Sequence, residues 1–286
     1  MKNKLRIAVQ KSGRLYDDSM GILKAAGIKV NTGMNTLKAE ATNFPLEVFF
    51  LRNSDIPQYV QDGIADIGIV GENVLVEKNK KVDVVQELGF SKCRLSIAVP
   101  NGTKYKSIKD LQGKKIATSY SRTLSQFLKK NKVKAEIHEI SGSVEIAPNI
   151  GMADAICDLV STGSTLFTNG LKEAEVMLQS QAVLIATKKL PKATQAILDQ
   201  LVFRFSAVKS AKNNKYILLN APNNKLKQIC KVLPGMKSPT VLPLVDKDWS
   251  SVHTVVDETD FWNVIDKLKA LGAEGILVVP IEKMIL

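Results

Sequence analysis

Apolar residues in this chain come in short blocks, separated by stretches in which they recur every three or four positions, and the two patterns alternate. Residues 5–10 form a strand-like block, and a helix near 15–26 follows that Gly27 stops. A second strand is predicted at 46–51. Asp55-Ile-Pro57 then opens a short helix to Asp62, with Asp55 as N-cap and Pro57 in the first turn. Strand 65–70 and helix 72–78 complete a first unit. A second unit starts with strand 94–99 and continues with strands 115–119, 135–139 and 154–160. Helices at 124–130 and 143–150 separate these strands, and a helix-compatible segment, 166–173, comes next. This alternation predicts an α/β class with largely parallel sheets. Strand 183–186 and a helix near 192–209 are expected to carry the chain back to the first unit.

Beyond Lys212 the rhythm changes. Strand 216–219, helix 225–233, strands 240–245 and 252–256, helix 260–271 and strand 276–279 follow in the order β-α-β-β-α-β. That order is the split ferredoxin-like pattern. The last helix carries an apolar stripe (Phe261, Val264, Ile265, Leu268, Leu271) and ends at Gly272. An internal echo links the first two units. Gly63-Ile-Ala-Asp66 with its strand and the Gly71 turn parallels Gly151-Met-Ala-Asp154 with its strand and the Gly163 turn. Two similar lobes would aim both glycine turns into a shared cleft, because α/β proteins bind ligands beyond the carboxyl ends of their strands.

Composition adds limits. With 45% hydrophobic and 24% charged residues over 286 positions, the chain can build real cores in two or three domains. No apolar run is long enough to cross a bilayer, and no early basic-then-apolar stretch suggests export, so a soluble, cytoplasmic protein without a membrane partner is expected. The three cysteines, Cys93, Cys157 and Cys230, are widely spaced among apolar residues and suit buried, reduced thiols. A net charge of +12 resembles a nucleic-acid footprint. The lysines are nevertheless scattered, and aromatic residues, only 6% of the chain, do not interleave with them as stacking platforms would. The charge is better suited to steering small polyanions toward a cleft than to holding a nucleic acid.

The segment from Asp154 to Thr165 carries the most chemistry. An apolar strand bearing Asp154, Ala155 and Asp158 empties into a small hydroxyl-rich turn, Ser161, Thr162, Gly163, Ser164 and Thr165. Gly163 permits close approach of an anion to the backbone, and the hydroxyls add donors. The two aspartates could accept from sugar hydroxyls or hold a divalent cation. Of these, Asp154 occupies the echoed position and is the favoured cleft carboxylate. Lys11, Ser12, Gly13 and Arg14 form a basic turn after the first strand that suits a triphosphate or a pyrophosphate. Arg52 follows strand 46–51 toward the cleft. Glu72, opening the helix after Gly71, could accept from a polar ligand or simply complement the helix dipole.

Taken in order, the motifs Val9-Gln-Lys11-Ser-Gly-Arg14-Leu, Asp55-Ile-Pro57, Gly71-Glu72-Asn73-Val-Leu, Cys93-Arg-Leu-Ser96, Ile116-Ala-Thr-Ser-Tyr120, Gly142-Ser-Val-Glu145, Asp154-Ala-Ile-Cys-Asp158-Leu-Val-Ser-Thr-Gly163, Asn169-Gly-Leu171, Ala270-Leu-Gly-Ala273 and Pro280-Ile-Glu-Lys-Met284 resemble the long form of the ATP phosphoribosyltransferases. The likeness runs nearly end to end. It implies a two-lobed catalytic core resembling type II periplasmic binding proteins, with residues 1–93 and 183–210 in one lobe and 94–182 in the other. It also implies an ACT-like domain over 211–286 that binds histidine as feedback inhibitor, a Mg²⁺ requirement, and dimers that assemble into hexamers.

By the resemblance, the 161–165 turn cradles the 5-phosphate of phosphoribosyl pyrophosphate, Asp154 and Asp158 face its ribose or a Mg²⁺, and Arg14 lies near ATP. Arg14, Arg52 and Glu72 are the expected catalytic residues and Asp154 the expected metal ligand. Leu233, Ser238 and Thr240 mark the effector region. The run Arg52-Asn-Ser-Asp55 is less acidic than is usual in the family. The implied reaction is displacement at the anomeric carbon by adenine N1, with inversion. N1 carries a lone pair at neutral pH, so positioning and charge stabilisation suffice without a strong base. His138 and His253 are expected to be structural.

Overall fold

The computed structural model of the protein describes residues 4–31, 33, 36–233 and 235–286. The chain divides into two compact units. One holds the chain as far as Leu198 apart from Ala25–Gly27, and the other holds Ala25–Gly27 with Asp199–Leu286.

The first unit contains two sheets. Its elements are β1 (Leu5–Gln10), α1 (Arg14–Ala25), β2 (Lys38–Glu40), β3 (Leu46–Leu51), α2 (Ile56–Gln61), β4 (Ile67–Gly71), α3 (Glu72–Lys78), β5 (Asp83–Glu87), β6 (Cys93–Pro100), β7 (Lys115–Thr118), α4 (Ser121–Lys130), β8 (Glu136–Glu139), β9 (Ala155–Val160), α5 (Ser164–Thr168), β10 (Leu171–Ser180) and β11 (Ala182–Ala186). The strand orders are β2-β3-β1-β4-β11-β5 and β10-β6-β9-β7-β8. Ala8, Val70, Val183 and Ile185 pack under α2 with Ile56 and Val60. Leu124 and Leu128 of α4 pack on Ile97, Ile116 and Cys157. Strands this apolar belong at the centre of a sheet covered on both faces, and each large side chain fully buried contributes about 1.5–3 kcal/mol.

The two sheets repeat one another. In the first, β3, β1 and β4 are parallel, β11 is reversed against β4, and β5 is reversed again against β11. In the second, β8, β7 and β9 are parallel, β6 is reversed against β9, and β10 is reversed again against β6. The echoed aspartates hold corresponding places. The Asp66 amide donates to the Arg6 carbonyl at 2.9 Å, and its carboxylate accepts the Arg6 amide at 2.8 Å and the Arg6 guanidinium at 2.7 and 3.0 Å. The Asp154 amide donates to the Lys115 carbonyl at 2.8 Å, and its carboxylate accepts the Lys115 amide at 2.8 Å and Lys114 Nζ at 3.3 Å. In each sheet an aspartate at the start of one strand pins the start of its parallel neighbour.

α3 contacts the second sheet's helix α4. Glu77 accepts the backbone amides of Arg122 (3.0 Å) and Thr123 (2.9 Å) and the Thr123 hydroxyl (2.6 Å). It thereby caps α4, whose own N-cap residue, Tyr120, makes no side-chain cap bond. Asn73 Nδ2 also donates to the Tyr120 hydroxyl at 3.0 Å.

Several predicted elements differ. Helix 143–150 shrinks to a single 3₁₀ turn, Val144–Ile146, because Ser143 is left-handed (φ 50°) and Pro148 has no amide to donate. Segment 166–173 is not one helix: α5 stops at Asn169 and Gly170 (φ 68°), and Leu171 begins the ten-residue strand β10. The short strands β2 and β5, both largely exposed, had no apolar alternation to reveal them. Asp55 takes the N-cap position of α2 without a side-chain cap bond.

The second unit has β12 (Asn214–Pro222), α7 (Leu226–Val232), β13 (Thr240–Pro243), β14 (Trp249–Asp257), α8 (Phe261–Ala270) and β15 (Glu274–Pro280), in the antiparallel sheet β13-β14-β12-β15. This is the predicted ferredoxin-like arrangement. Ile217, Leu219, Val252 and Val256 pack on Ile229, Leu233 and Leu268 of the helix layer. Among the residues that alternate with them, His253 meets Tyr216 Oη (3.2 Å) and Ser251 Oγ (2.9 Å). The division between the units falls inside α6 (Lys192–Lys212), where Arg204 donates to the Ala26 carbonyl at 3.3 Å.

All three cysteines are free, but only Cys157 is fully buried, and burial pushes its thiol up to about 12. Cys93 and Cys230 are half-buried, less enclosed than the sequence suggested.

Candidate functional site

The loops that follow β1, β3, β4, β7, β8 and β9 leave the carboxyl ends of parallel strands, the edge at which open α/β sheets bind ligands. They carry Lys11 to Arg14, Arg52, Glu72, Tyr120, Glu145 and Ser161 to Thr165. Two of them meet. Arg14 Nη1 donates to Ser161 Oγ at 2.7 Å, which brings the basic turn of the first sheet onto the hydroxyl turn of the second.

Each turn is built for an exposed polar face. Gly13 (φ 84°) lets the chain turn into α1, and Gln10 Nε2 fixes the Ser12 carbonyl at 2.6 Å. Lys11, Ser12 and Gly13, with Tyr16, Leu37 and Phe50, line a cleft of about 630 Å³. Its apolar wall includes the tilted ring pair Tyr16–Phe50, with centroids 5.9 Å apart. In the second turn Gly163 is left-handed (φ 84°), a conformation other residues adopt only with strain. Thr162 Oγ1 and Ser164 Oγ lie 3.0 Å apart, and Ser161, Thr162, Ser164 and Thr165 are all exposed.

The aspartates separate sharply. Asp158 is half-buried near the carboxyl end of β9, across from Ser96. Burial raises its carboxyl above the ordinary range, the Leu159 amide draws it back, and Glu145 raises it further. Burial, and then the Asp158 charge, likewise raise the Tyr120 hydroxyl. Asp158 is therefore within electrostatic reach of both Glu145 and Tyr120. Asp154 lies at the opposite end of β9. Its carboxyl is held below the usual range, chiefly by the Lys115 amide and then by Lys114. The six residues of β9 span about 20 Å at roughly 3.3 Å each. Asp154, favoured in the sequence as cleft carboxylate and metal ligand, thus lies at the end of β9 away from the 161–165 turn, and the echoed position is a strand clamp in both sheets. Ala155 is fully buried at that same end.

Arg52 is exposed just past β3, with its carbonyl taken by the Asp55 amide at 2.9 Å. Glu72 is half-buried at the start of α3, and its amide donates to the Gln181 carbonyl at 3.0 Å. Gly71 before it has no room for a Cβ, which would lie 2.4 Å from Asn73 Oδ1, itself held by Ser180 Oγ at 2.9 Å. In the second unit, Leu233 is a core residue at the end of α7 rather than an exposed contact, whereas Ser238 and Thr240 are exposed. Pro234 of that loop lies outside the described residues. The buried hydroxyl Thr254 Oγ1 finds no partner among the described residues, and a Cβ on Gly235 would fall 2.4 Å from it.

Sequence reasoning passed over Arg94, Glu173 and Ser96. Arg94 Nε and Nη2 each donate to Glu173 at 2.5 Å, Ser96 Oγ donates to Glu173 at 2.6 Å, and Arg94 Nη1 donates to the Ser161 carbonyl at 3.2 Å. The signal was an arginine opening an otherwise apolar strand. Among the described residues no three His, Cys, Asp or Glu side chains cluster as a metal site. The hard oxygens of Asp158 and Glu145 suit Mg²⁺, which takes one or two carboxylates and relies on substrate phosphates for the rest.

Comparison with known proteins follows the same outline. The family model described as ATP phosphoribosyltransferase matches residues 52–207, and the model described as HisG, C-terminal domain matches 211–283. An ATP phosphoribosyltransferase of Cytophaga hutchinsonii is 59% identical over 285 residues, covering 100% of both chains. One from Bacteroides fragilis is 57% identical over 282 residues, covering 99% of this chain and 100% of the relative. Among solved structures, the ATP phosphoribosyl transferase (HisG:HisZ) complex from Thermotoga maritima aligns with a TM-score of 0.61 at 26% identity, covering 71% of this chain and 98% of that one.

Proposed function

We propose, on the premise that the chain belongs to the ATP phosphoribosyltransferase family, that its cleft transfers the phosphoribosyl group of phosphoribosyl pyrophosphate to adenine N1 of ATP. The products are phosphoribosyl-ATP and pyrophosphate, in the first step of histidine biosynthesis. The observation that carries the site assignment is the Arg14–Ser161 contact, which joins a cationic turn to a hydroxyl turn across the carboxyl edges of two parallel strand sets. In this reading Ser161 to Thr165 hold the 5-phosphate through hydroxyls and free amides. Lys11, Ser12 and Arg14 take the triphosphate and the departing pyrophosphate, and the wall of Tyr16, Leu37 and Phe50 takes apolar parts of the nucleotide.

The C1–O bond to pyrophosphate breaks as the N1 lone pair bonds to C1. No proton has to leave N1 for attack, so the protein's contribution is alignment and cationic stabilisation of the leaving group. Arg14, with Arg52 from the next strand end, supplies that charge, and Glu72 orients the base or ribose. Asp158 and Glu145 would hold Mg²⁺ that arrives with the substrate phosphates, and the ion would supply charge neutralisation of pyrophosphate.

Histidine is the proposed effector of the second unit. The orphan Thr254 hydroxyl beside Gly235, with exposed Ser238 and Thr240, supports a small polar ligand there. A cytoplasmic homo-oligomer, dimer to hexamer, completes the proposal. In the test, purified protein is assayed for pyrophosphate release with ATP, phosphoribosyl pyrophosphate and Mg²⁺, with either substrate omitted, with chelator, and with histidine. Release is expected only with both substrates and Mg²⁺, and is reduced by histidine. No release under the full condition would overturn the reading.

A further inference from the structure

The motif Cys93-Arg94-Leu-Ser96 has no part in the chemistry above, yet Arg94 touches the anion turn directly. Three of its nitrogens are committed. Nε and Nη2 form a two-point bond with Glu173, whose Oε1 is also held by the fully buried Ser96 hydroxyl. Nη1 reaches the Ser161 carbonyl. The Arg94 backbone is in register with Val160, the last residue of β9, and with Gln179 of β10, so paired strands hold its main chain on both sides. Arg94 and Glu173 shift each other in the directions of a tight pair, the arginine upward and the glutamate downward. With its charge offset by Glu173, what Arg94 offers the turn is a rigid donor rather than an unpaired cation.

That donor matters because a peptide unit is planar and trans, so its carbonyl and the next residue's N–H point in opposite directions. Holding the Ser161 carbonyl toward β6 turns the Thr162 amide away from it. No hydrogen bond to a described group occupies the Thr162 or Gly163 amide. We propose that Arg94 is a positioning residue: anchored on Glu173 and Ser96, it locks the Ser161–Thr162 peptide so that the Thr162 amide meets the phosphate of the phosphoribosyl donor. The inference rests on the assignment of the 161–165 turn to that phosphate.

Its test uses the full chain carrying Arg94→Lys or Glu173→Gln. Lysine keeps the charge but loses the planar fork. Arg94→Lys is expected to raise KM for phosphoribosyl pyrophosphate about tenfold while KM for ATP stays within about twofold; tenfold corresponds to about 1.4 kcal/mol. Glu173→Gln is expected to produce the same selective change, smaller in size. Hydrogen exchange of the unliganded protein should speed up in peptides covering 161–165 and stay unchanged in those covering 116–118. Rescue of wild-type KM by lysine, or equal increases in both KM values with unaltered turn exchange, would overturn the proposal. If Arg94→Lys fails to fold, Glu173→Gln decides. The exchange measurement needs no turnover, so an inactive wild type would sink the functional reading while the brace is still judged on its own.

Discussion

Replacing Asp154 with alanine should lower stability and leave substrate binding alone. The carboxylate accepts the Lys115 amide at 2.8 Å, a bond to a charged acceptor worth about 1.5–3 kcal/mol when buried. With 43% of the side chain exposed, the lower end applies. The Lys114 pair, at 3.3 Å with its lysine 51% exposed, adds about 0.2–1 kcal/mol. The loss should therefore be about 2 kcal/mol, or ~4–8 °C in Tm for a cooperative unit of about 150–250 residues. The dependence on pH has a definite sign. The folded carboxyl is held below its unfolded value of about 3.9, so the stabilisation is fully present above that value and disappears as pH falls through the folded one. The gap between wild type and variant should be complete at pH 7 and close below about pH 4. Thermal unfolding across pH, with steady-state kinetics at pH 7, measures both parts. An unchanged Tm with a tenfold higher KM for phosphoribosyl pyrophosphate would refute the clamp and return Asp154 to the cleft.

Other substitutions probe the opposite end of the same strand. Arg14→Ala removes a charged donor worth about 1.5–3 kcal/mol and should reduce kcat/KM about 10- to 150-fold. Thr165→Val removes one hydroxyl and should cost about tenfold or less; wild-type kinetics in both variants would refute the turn assignments. Asp158→Asn should abolish most turnover yet raise the Tm of the unliganded protein at neutral pH. A carboxyl whose folded value is raised contributes stability at low pH that is lost as pH rises through that value, so the ionised form is a burden at pH 7. A lower Tm for Asp158→Asn at pH 7 would contradict the burial argument.

Strong apolar blocks made most of the fold legible: β1, β3, β4, β9 and β11 are buried strands whose alternation with helices left little choice of class. β10 was hidden because Lys172, Glu173 and Glu175 mimic an amphipathic helix and two register shifts break the two-residue period. Only the pairing of Glu173 with Arg94 and of Glu175 with Tyr105 explains those charges in a strand. The echo marks a repeat of the two sheets, and its aspartates take the same clamp position in both. A sequence repeat marks equivalent places, and in an α/β sheet the places before strands are structural while those after them face ligand. Asp154 precedes its strand. Asp158, which has no echo, lies near the carboxyl end, where the two sheets are free to differ.

The cap that Glu77 lends to α4 has a consequence for how the cleft spends its time. An N-cap is worth about 1 kcal/mol, and the Asn73–Tyr120 bond about as much again. Any swing that parts the sheets at this point must give up both, which disfavours the parted population about 30-fold at ~2 kcal/mol. To that extent these bonds bias the empty protein toward the arrangement already gathered around the proposed substrate site. Substrates meeting such a protein lose less of their affinity to reorganising it, and a variant without the Glu77 carboxylate should bind both more weakly although neither touches it.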